Sequence, residues 1–301
     1  MKIGFIGLGK MGKNLVLNLV DHKYSIVAYN RTYEKALAMK KYGVTPAKTL
    51  QELCEKSSEK GKRIIWIMIT AGNATTKIIE ELEAFLTKGD IVIDGGNSNY
   101  NDSIKHAKLL AKKEIEFLDI GTSGGISGAR NGACLMIGGK QKTFKKLEQV
   151  FKDISVKNGY AYCGKNGSGH FVKMIHNGIE YGMMQSIAEG FELIHAYDNK
   201  MNKKEISRVW NNGSVIRGWL MELAENAFRK DSELKKFSSI VGHSGEGKWT
   251  IETALELGVP TPVIANSLFS RFRSFEKNPF SGKVLSALRY GFGEHESPKI
   301  K

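Results

Sequence analysis

Lys173, His176, Asn177 and Glu180 stand at i, i+3, i+4 and i+7 of a predicted helix, spacings that return side chains to one stripe. They lie in Gly167-Ser-Gly-His-Phe-Val-Lys-Met-Ile-His-Asn-Gly-Ile-Glu-Tyr181, whose helical pattern continues to Ile187 and beyond. Val172, Met174, Ile175, Ile179, Met183, Met184 and Ile187 supply enough apolar surface for that helix to be buried. An amine, an imidazole, an amide and a carboxylate on a buried helix must line a polar cleft or pair with one another. In a cleft, the amine and the carboxylate could accept and donate protons. Buried ion-pair networks mimic active sites, so the stripe alone leaves both readings open.

A stripe of this kind needs a scaffold that brings ligands to it, and the first half of the chain reads as one. Ile3 to Ile6 predicts a short buried strand, which runs into Gly7-Leu8-Gly9-Lys10-Met11-Gly12 and then a helical segment, Asn14 to Val20. GxGxxG between a strand and a helix is a dinucleotide-binding fingerprint. Its first glycine allows the tight turn, its second lets the pyrophosphate approach, and its third lets helix pack on strand. The helix N-terminus then holds the phosphates. A second strand, Ser25 to Tyr29, ends at Asn30-Arg31-Thr32, with Lys35 nearby. A cofactor with a free 2′-hydroxyl usually meets Asp or Glu at that point, whereas an arginine suits a 2′-phosphate. The expected cofactor is therefore NADP, with NAD as the alternative.

The alternation continues through a capping box at Thr49-x-x-Glu52, a buried strand from Arg63 to Ile69 and an amphipathic helix from Ala74 to Leu86. Next come the strand Ile91 to Asp94 with Gly95-Gly96-Asn97-Ser98, a helix from Asp102 to Lys113, and the strand Glu116 to Ile120 with Gly121-Thr122-Ser123-Gly124-Gly125. In a parallel sheet such loops gather at the carboxyl ends of the strands, where ligands bind, and they offer Asn97 and Ser123 as polar groups. Strands at Cys134 to Ile137 and Ala161 to Cys163 flank a helix from Thr143 to Phe151. After Gly167 strand signals fade and helical patterns follow: Gly169 to Tyr197, Lys203 to Trp210, Arg217 to Phe228, Thr250 to Leu257 and Val263 to Phe275. The expected fold is α/β, a Rossmann-type doubly wound sheet over residues 1–164 followed by an all-helical domain over 165–301. Gly245-Glu-Gly-Lys-Trp-Thr250 lacks the Walker spacing and is no P-loop.

Composition narrows the class. The 301 residues are 41% hydrophobic and 25% charged, ordinary for a soluble protein of two domains. No apolar run has the length of a membrane span and no signal peptide precedes the first strand, so a cytoplasmic protein without membrane contact is expected. Cys54, Cys134 and Cys163 share no CxxC spacing and read as reduced, packed thiols, and the seven histidines include no HxxxH pair, so no metal site is expected. The net charge of +14 favours anionic partners. Its lysines are scattered along helices, with neither a basic arm nor an aromatic-interleaved RNA motif, which points to a phosphorylated metabolite instead of nucleic acid.

Taken together, these motifs resemble the short form of the decarboxylating 6-phosphogluconate dehydrogenase family. The resemblance is carried by Gly7 to Gly12, Asn30-Arg31-Thr32, Ile93-Asp-Gly-Gly-Asn-Ser98 and Ser123-Gly-Gly-Ile-Ser-Gly-Ala-Arg130. It extends through Gly169 to Gly182, Gly247-Lys-Trp-Thr250 and Phe292-Gly-Glu-His295. Related β-hydroxyacid dehydrogenases share the plan and a catalytic lysine but not His-Asn-Gly-Ile-Glu-Tyr. The family implies oxidation of 6-phosphogluconate by NADP and loss of carbon dioxide to give ribulose 5-phosphate, in the pentose phosphate pathway and gluconate utilisation. It implies Lys173 as general base and Glu180 as general acid. Asn97, Ser123, Gly124, Gly125, His176 and Asn177 would hold the sugar acid. Tyr181 and Arg271, with Arg289 and His295 from a neighbouring subunit's tail, would complete the phosphate end. Ile69, Thr70, Ala71 and Asn97 would line the cofactor. Short forms are expected to form a homodimer or homotetramer in place of a second helical unit. The chain departs from the longer forms at His243-Ser244-Gly245, where a phosphate-binding lysine is expected.

The implied chemistry suits the stripe. Desolvation among apolar neighbours makes an amine a usable proton acceptor, and the ammonium so formed can stabilise an enolate without a metal. Glu180, two turns along the same face, can then return a proton. Two other classes compete: a β-hydroxyacid dehydrogenase acting on a small unphosphorylated acid, and a catalytically silent NADP sensor or RNA-associated protein.

Overall fold

The computed structural model describes residues 1–293. Its elements begin with β1 (Lys2–Ile6), α1 (Lys10–Asp21), β2 (Ser25–Tyr29), α2 (Tyr33–Leu37), β3 (Thr45–Ala47), α3 (Leu50–Ser57), β4 (Ile64–Ile67) and α4 (Asn73–Leu82). β5 (Ile91–Asp94), α5 (Tyr100–Ala111), β6 (Glu116–Ser123), α6 (Gly125–Asn131), β7 (Ala133–Gly139), α7 (Gln141–Ile154) and β8 (Ser155–Gly164) complete the sheet region. Helices follow: α8 (Ser168–Tyr197), α9 (Lys203–Asn211), α10 (Trp219–Lys230), α11 (Glu246–Leu257), α12 (Pro262–Arg273) and α13 (Phe280–Gly293). The chain divides into two compact units, Met1–Asn177 and a second beginning at Gly178, so the division falls inside α8.

The first unit is one sheet in the order β3-β2-β1-β4-β5-β6-β7-β8. β1, β4 and β5 are buried on both faces, which is why they read as unbroken apolar runs. Alternate residues sort into two cores: Phe5, Trp66 and Ile93 with Leu15 and Phe151 on one side, and Ile6, Ile67 and Val92 with Leu53 and Leu82 on the other. Trp66 stacks on Phe5 and meets Phe151 edge-on, both at 6.3 Å between ring centres. The Thr49 hydroxyl accepts from Glu52 N at 3.0 Å, and the Glu52 carboxylate reaches back to Lys48 N at 2.5 Å, so the capping box closes one residue upstream of its usual partner.

One expectation about the sheet is corrected. β7 pairs antiparallel with β6, whereas every other pairing is parallel. Only residues 124–132 separate these two strands, and a parallel crossover needs about a dozen residues or more. The chain therefore turns back. The packed thiols are corrected too: Cys54 is buried, with its thiol pushed up to about 11 by burial, but Cys134 is exposed.

In the second unit, Phe191 of α8, Met221 and Phe228 of α10 form a small core. Phe191 lies 4.8 Å from Phe228 and 5.5 Å from Trp210 between ring centres. α8 is not the wholly buried helix that its composition suggests. Met174 and Tyr181 are buried, but Val172, Ile179, Met183 and Met184 are 38%, 52%, 53% and 40% exposed. Val172, Ile179 and Met183, at i, i+7 and i+11, share an exposed stripe of the helix.

Candidate active site

β1 ends at the position where the strand order reverses, with β2 on one side and β4 on the other, the place where open α/β sheets bind ligands. Gly7 sits there at φ +101°, and a side chain on Gly12 would lie 2.0 Å from the Gly7 carbonyl. A side chain on Gly9 would meet nothing within 4 Å, so the loop is open on that side. No side chain caps the first turn of α1, which leaves its N–H groups for an anion. The Asn30 side chain holds the loop to the end of β2, accepting from Leu8 N and donating to Thr32 O, both at 3.0 Å.

A cavity of about 950 Å³ opens over this loop. Gly7, Gly9, Lys10, Met11, Gly12, Asn30, Arg31, Thr32, Ile69, Thr70 and Asn97 line it. Leu8 is buried in the core and Ala71 follows the wall residue Thr70, and neither lines the cavity. Asn73 and Lys77 of α4 line the cavity unannounced by any motif, although their spacing of four places them on one helix face. An uncapped helix end, a glycine turn open to approach, and Arg31 with Lys35 at the rim form a cradle that fits a dinucleotide with a 2′-phosphate. Behind α4, Thr76 bonds His106 at 3.0 Å, and burial pushes that imidazole below its ordinary pKa.

Asn97, in the left-handed region at φ +55°, links the cavity to the polar stripe. Its amide donates to Thr122 O at 3.1 Å and accepts from Thr122 N at 2.8 Å. The next residue, Ser123, bonds His176 Nε2 at 3.2 Å. Asn177 Oδ1 accepts from Lys173 Nζ at 2.5 Å and from His176 Nδ1 at 2.9 Å, and Nζ also lies 3.3 Å from His176 Nδ1. Lys173 is 5% exposed. A side chain on Gly121 would lie 2.3 Å from Lys173 Cβ, so this glycine is what lets the lysine stem lie against β6. Gly124 and Gly125 follow at φ +109° and +60° and begin α6. His170 is 1% exposed and bonds Ser103 at 2.7 Å.

In the second unit, Arg271 lies with its guanidinium carbon 3.5 Å from the centre of the Tyr181 ring and donates to Gly242 O at 2.9 Å. Gly247 packs on the same ring. His243, adjoining that carbonyl, meets Phe272 edge-on at 5.2 Å. Glu180 is half-buried. Arg289 is exposed on α13, and His295 lies outside the described residues.

Residues 2–164 match the family described as the NAD binding domain of 6-phosphogluconate dehydrogenase, and residues 169–288 match the 6-phosphogluconate dehydrogenase C-terminal domain. The Bacillus subtilis protein YqeC is 46% identical over 299 residues, covering 99% of this chain and 100% of that protein. A Haloferax volcanii relative, named as an NAD(+)-dependent, decarboxylating 6-phosphogluconate dehydrogenase, is 40% identical over 298 residues and 98% of each chain. Among solved structures, the Plasmodium falciparum 6-phosphogluconate dehydrogenase superposes with a TM-score of 0.83 at 33% identity, over 100% of this chain and 67% of that one.

Replacing Arg31 by alanine is expected to weaken NADP binding about 10- to 100-fold, the loss of one or two charge-assisted hydrogen bonds, and to leave NAD binding little changed. Fluorescence titration with each dinucleotide checks this. An equal loss for both would remove the 2′-phosphate from Arg31.

Proposed function

This chain belongs to the 6-phosphogluconate dehydrogenase family, and on that premise we propose that it converts 6-phospho-D-gluconate to D-ribulose 5-phosphate and carbon dioxide, reducing NADP or, less readily, NAD. The observation that carries the reading is the buried Lys173 amine, held by Asn177 and His176 in the unit that also holds the dinucleotide cradle. In this reading residues 1–164 hold the cofactor, and residues 165–301 supply substrate contacts and subunit packing. Arg31 supports NADP, which the Plasmodium enzyme binds; the Haloferax relative is named for NAD.

When bound, the dinucleotide accepts the hydride leaving C3 of the sugar acid. Lys173 takes the C3 hydroxyl proton, and the resulting ammonium sits at the new carbonyl oxygen. There it stabilises the enolate that forms as the carboxylate departs as carbon dioxide. Asn177 and His176 fix the amine, and Ser123 holds the imidazole. Glu180, seven residues along the same helix, gives the proton that completes C1 of the pentulose. Tyr181 and Arg271 are assigned to the phosphate, with Arg289 and His295 reaching a neighbour's site. Asn97, Gly124 and Gly125 are assigned to the sugar acid, although the Asn97 amide also serves the Thr122 backbone.

The exposed apolar stripe of Val172, Ile179 and Met183 supports a homodimer or homotetramer, since such a patch is costly on a lone chain. Sedimentation should give a mass of two or four chains, and a monomer at micromolar concentration would contradict this. Among the described residues no helix is long and apolar enough to cross a membrane, and the reaction is assigned to the cytoplasm.

The deciding experiment compares 6-phosphogluconate with 3-hydroxyisobutyrate by reduced-nicotinamide absorbance, with NADP and NAD in parallel. Turnover of the phosphorylated acid is expected, and equal or better turnover of 3-hydroxyisobutyrate would overturn the reading. Lys173→Met should lower kcat by about 1,000-fold or more with NADP affinity nearly unchanged; retained turnover would remove Lys173 as the base. Glu180→Gln should slow pentulose formation about 100-fold, and an unaffected rate would return Glu180 to a structural role.

A further inference from the structure

β6 carries a second signal beyond Ser123. One carboxylate, Asp119, interrupts the apolar run Phe117-Leu-Asp-Ile120, and it is 0% exposed. An ionised group there must be paired or fully hydrogen-bonded. Its partners are backbone donors from the start of α8: Oδ1 accepts from Gly167 N at 2.7 Å and Oδ2 from His170 N at 3.0 Å. These are N–H groups at a helix N-terminus, which have no partner within the helix. A carboxylate satisfies them with charge-assisted bonds and faces the positive end of the helix dipole.

The contact belongs to a register. Alternate residues of a strand point to one side, and on β6 each of them meets the next part of the α8 entrance. Asp119 takes Gly167 and His170, Gly121 lies against Lys173 Cβ, and Ser123 bonds His176, while near the start of the strand the Phe117 backbone carbonyl accepts from the Asn166 amide at 2.7 Å. Lys173 follows one helical turn after His170, and Gly121 is the next residue on that side of β6 after Asp119. Where α8 begins on β6 therefore fixes where the amine lies.

We propose that Asp119 is the positioning residue for the Lys173 amine, a buried carboxylate that clamps the first turn of α8 onto β6 so that Lys173 meets Asn177 and His176. Its catalytic consequence rests on the function proposed above. Asp119→Asn keeps the size but offers one acceptor where there were two and turns an NH₂ toward a backbone N–H, so one clamp bond is lost. The dinucleotide cavity does not include Asp119 and should be left intact.

The test measures three quantities on the full-length wild type and Asp119→Asn. They are the NADP dissociation constant, the acylation rate of Lys173 mapped by mass spectrometry, and the pH profile of kcat with 6-phosphogluconate. Expected are an NADP affinity within about twofold, Lys173 labelling several-fold faster, and kcat down by about 100-fold, as for a displacement near 1 Å, with the acid limb of the profile shifted. Gly121→Ala, which presses on Lys173 from the same strand without touching the carboxylate, should reproduce the loss of kcat and serves if Asp119→Asn does not fold. Unchanged labelling and kcat in a folded variant would overturn the proposal, as would a fall in kcat that only tracks lost folded protein with the profile unmoved. If the wild type does not turn over 6-phosphogluconate, the functional reading fails, whereas the labelling still decides whether Asp119 places the amine.

Discussion

A buried carboxylate in the middle of a strand, facing the first turn of a long helix, sets the geometry on which the first unit depends. Asp119 joins the sheet to α8 through two backbone donors, and Gly121 and Ser123 continue the same contact toward Lys173 and His176. The fold thereby solves a difficult problem, holding a flexible four-carbon amine at one place without burying it unpaired. The stem lies against a glycine and the amine is shared between an amide and an imidazole. The imidazole is held in turn by the same amide and by a serine hydroxyl. Asn97, which lines the cavity, ties it to this assembly through the backbone of Thr122, so cavity and amine are registered against the same two strand ends.

α8 distributes polarity unusually for a helix in a globular chain. Its amine is buried while an adjacent stripe of valine, isoleucine and methionine is exposed. Both features follow if the helix serves two surfaces, one lining the reaction site and one meeting another copy of the chain. The second unit has a small aromatic core, and further apolar residues of its helices, among them Leu193, Val263 and Phe269, are also exposed.

Much of this was legible in the residues alone, for reasons that differ from element to element. GxGxxG is readable because backbone sterics admit only glycine there, as the 2.0 Å approach at Gly12 illustrates. The buried strands are readable because burial on both faces removes alternation. β3 is not, since three residues including Pro46 carry no period. α6 hides in a glycine-rich loop, and the reversal of β7 depends on connection length more than on composition. The stripe of Lys173, His176, Asn177 and Glu180 is visible from spacing, but its wiring to Ser123 is not, because strand-to-helix register leaves no local trace. Asp119 left one signal, a lone charge inside an apolar strand, which without a partner reads only as an anomaly. Lys77 left none, since a lysine on an amphipathic helix normally faces water.

The most direct test of the arrangement is a crystal structure of the complex with 6-phosphogluconate and the reduced dinucleotide, read for one distance. Lys173 Nζ should lie about 3 Å from the C3 hydroxyl of the sugar acid, within hydrogen-bond reach. If another side chain occupies that place and the amine keeps only its contacts with Asn177 and His176, Lys173 is part of the scaffold and the proton acceptor must be sought elsewhere.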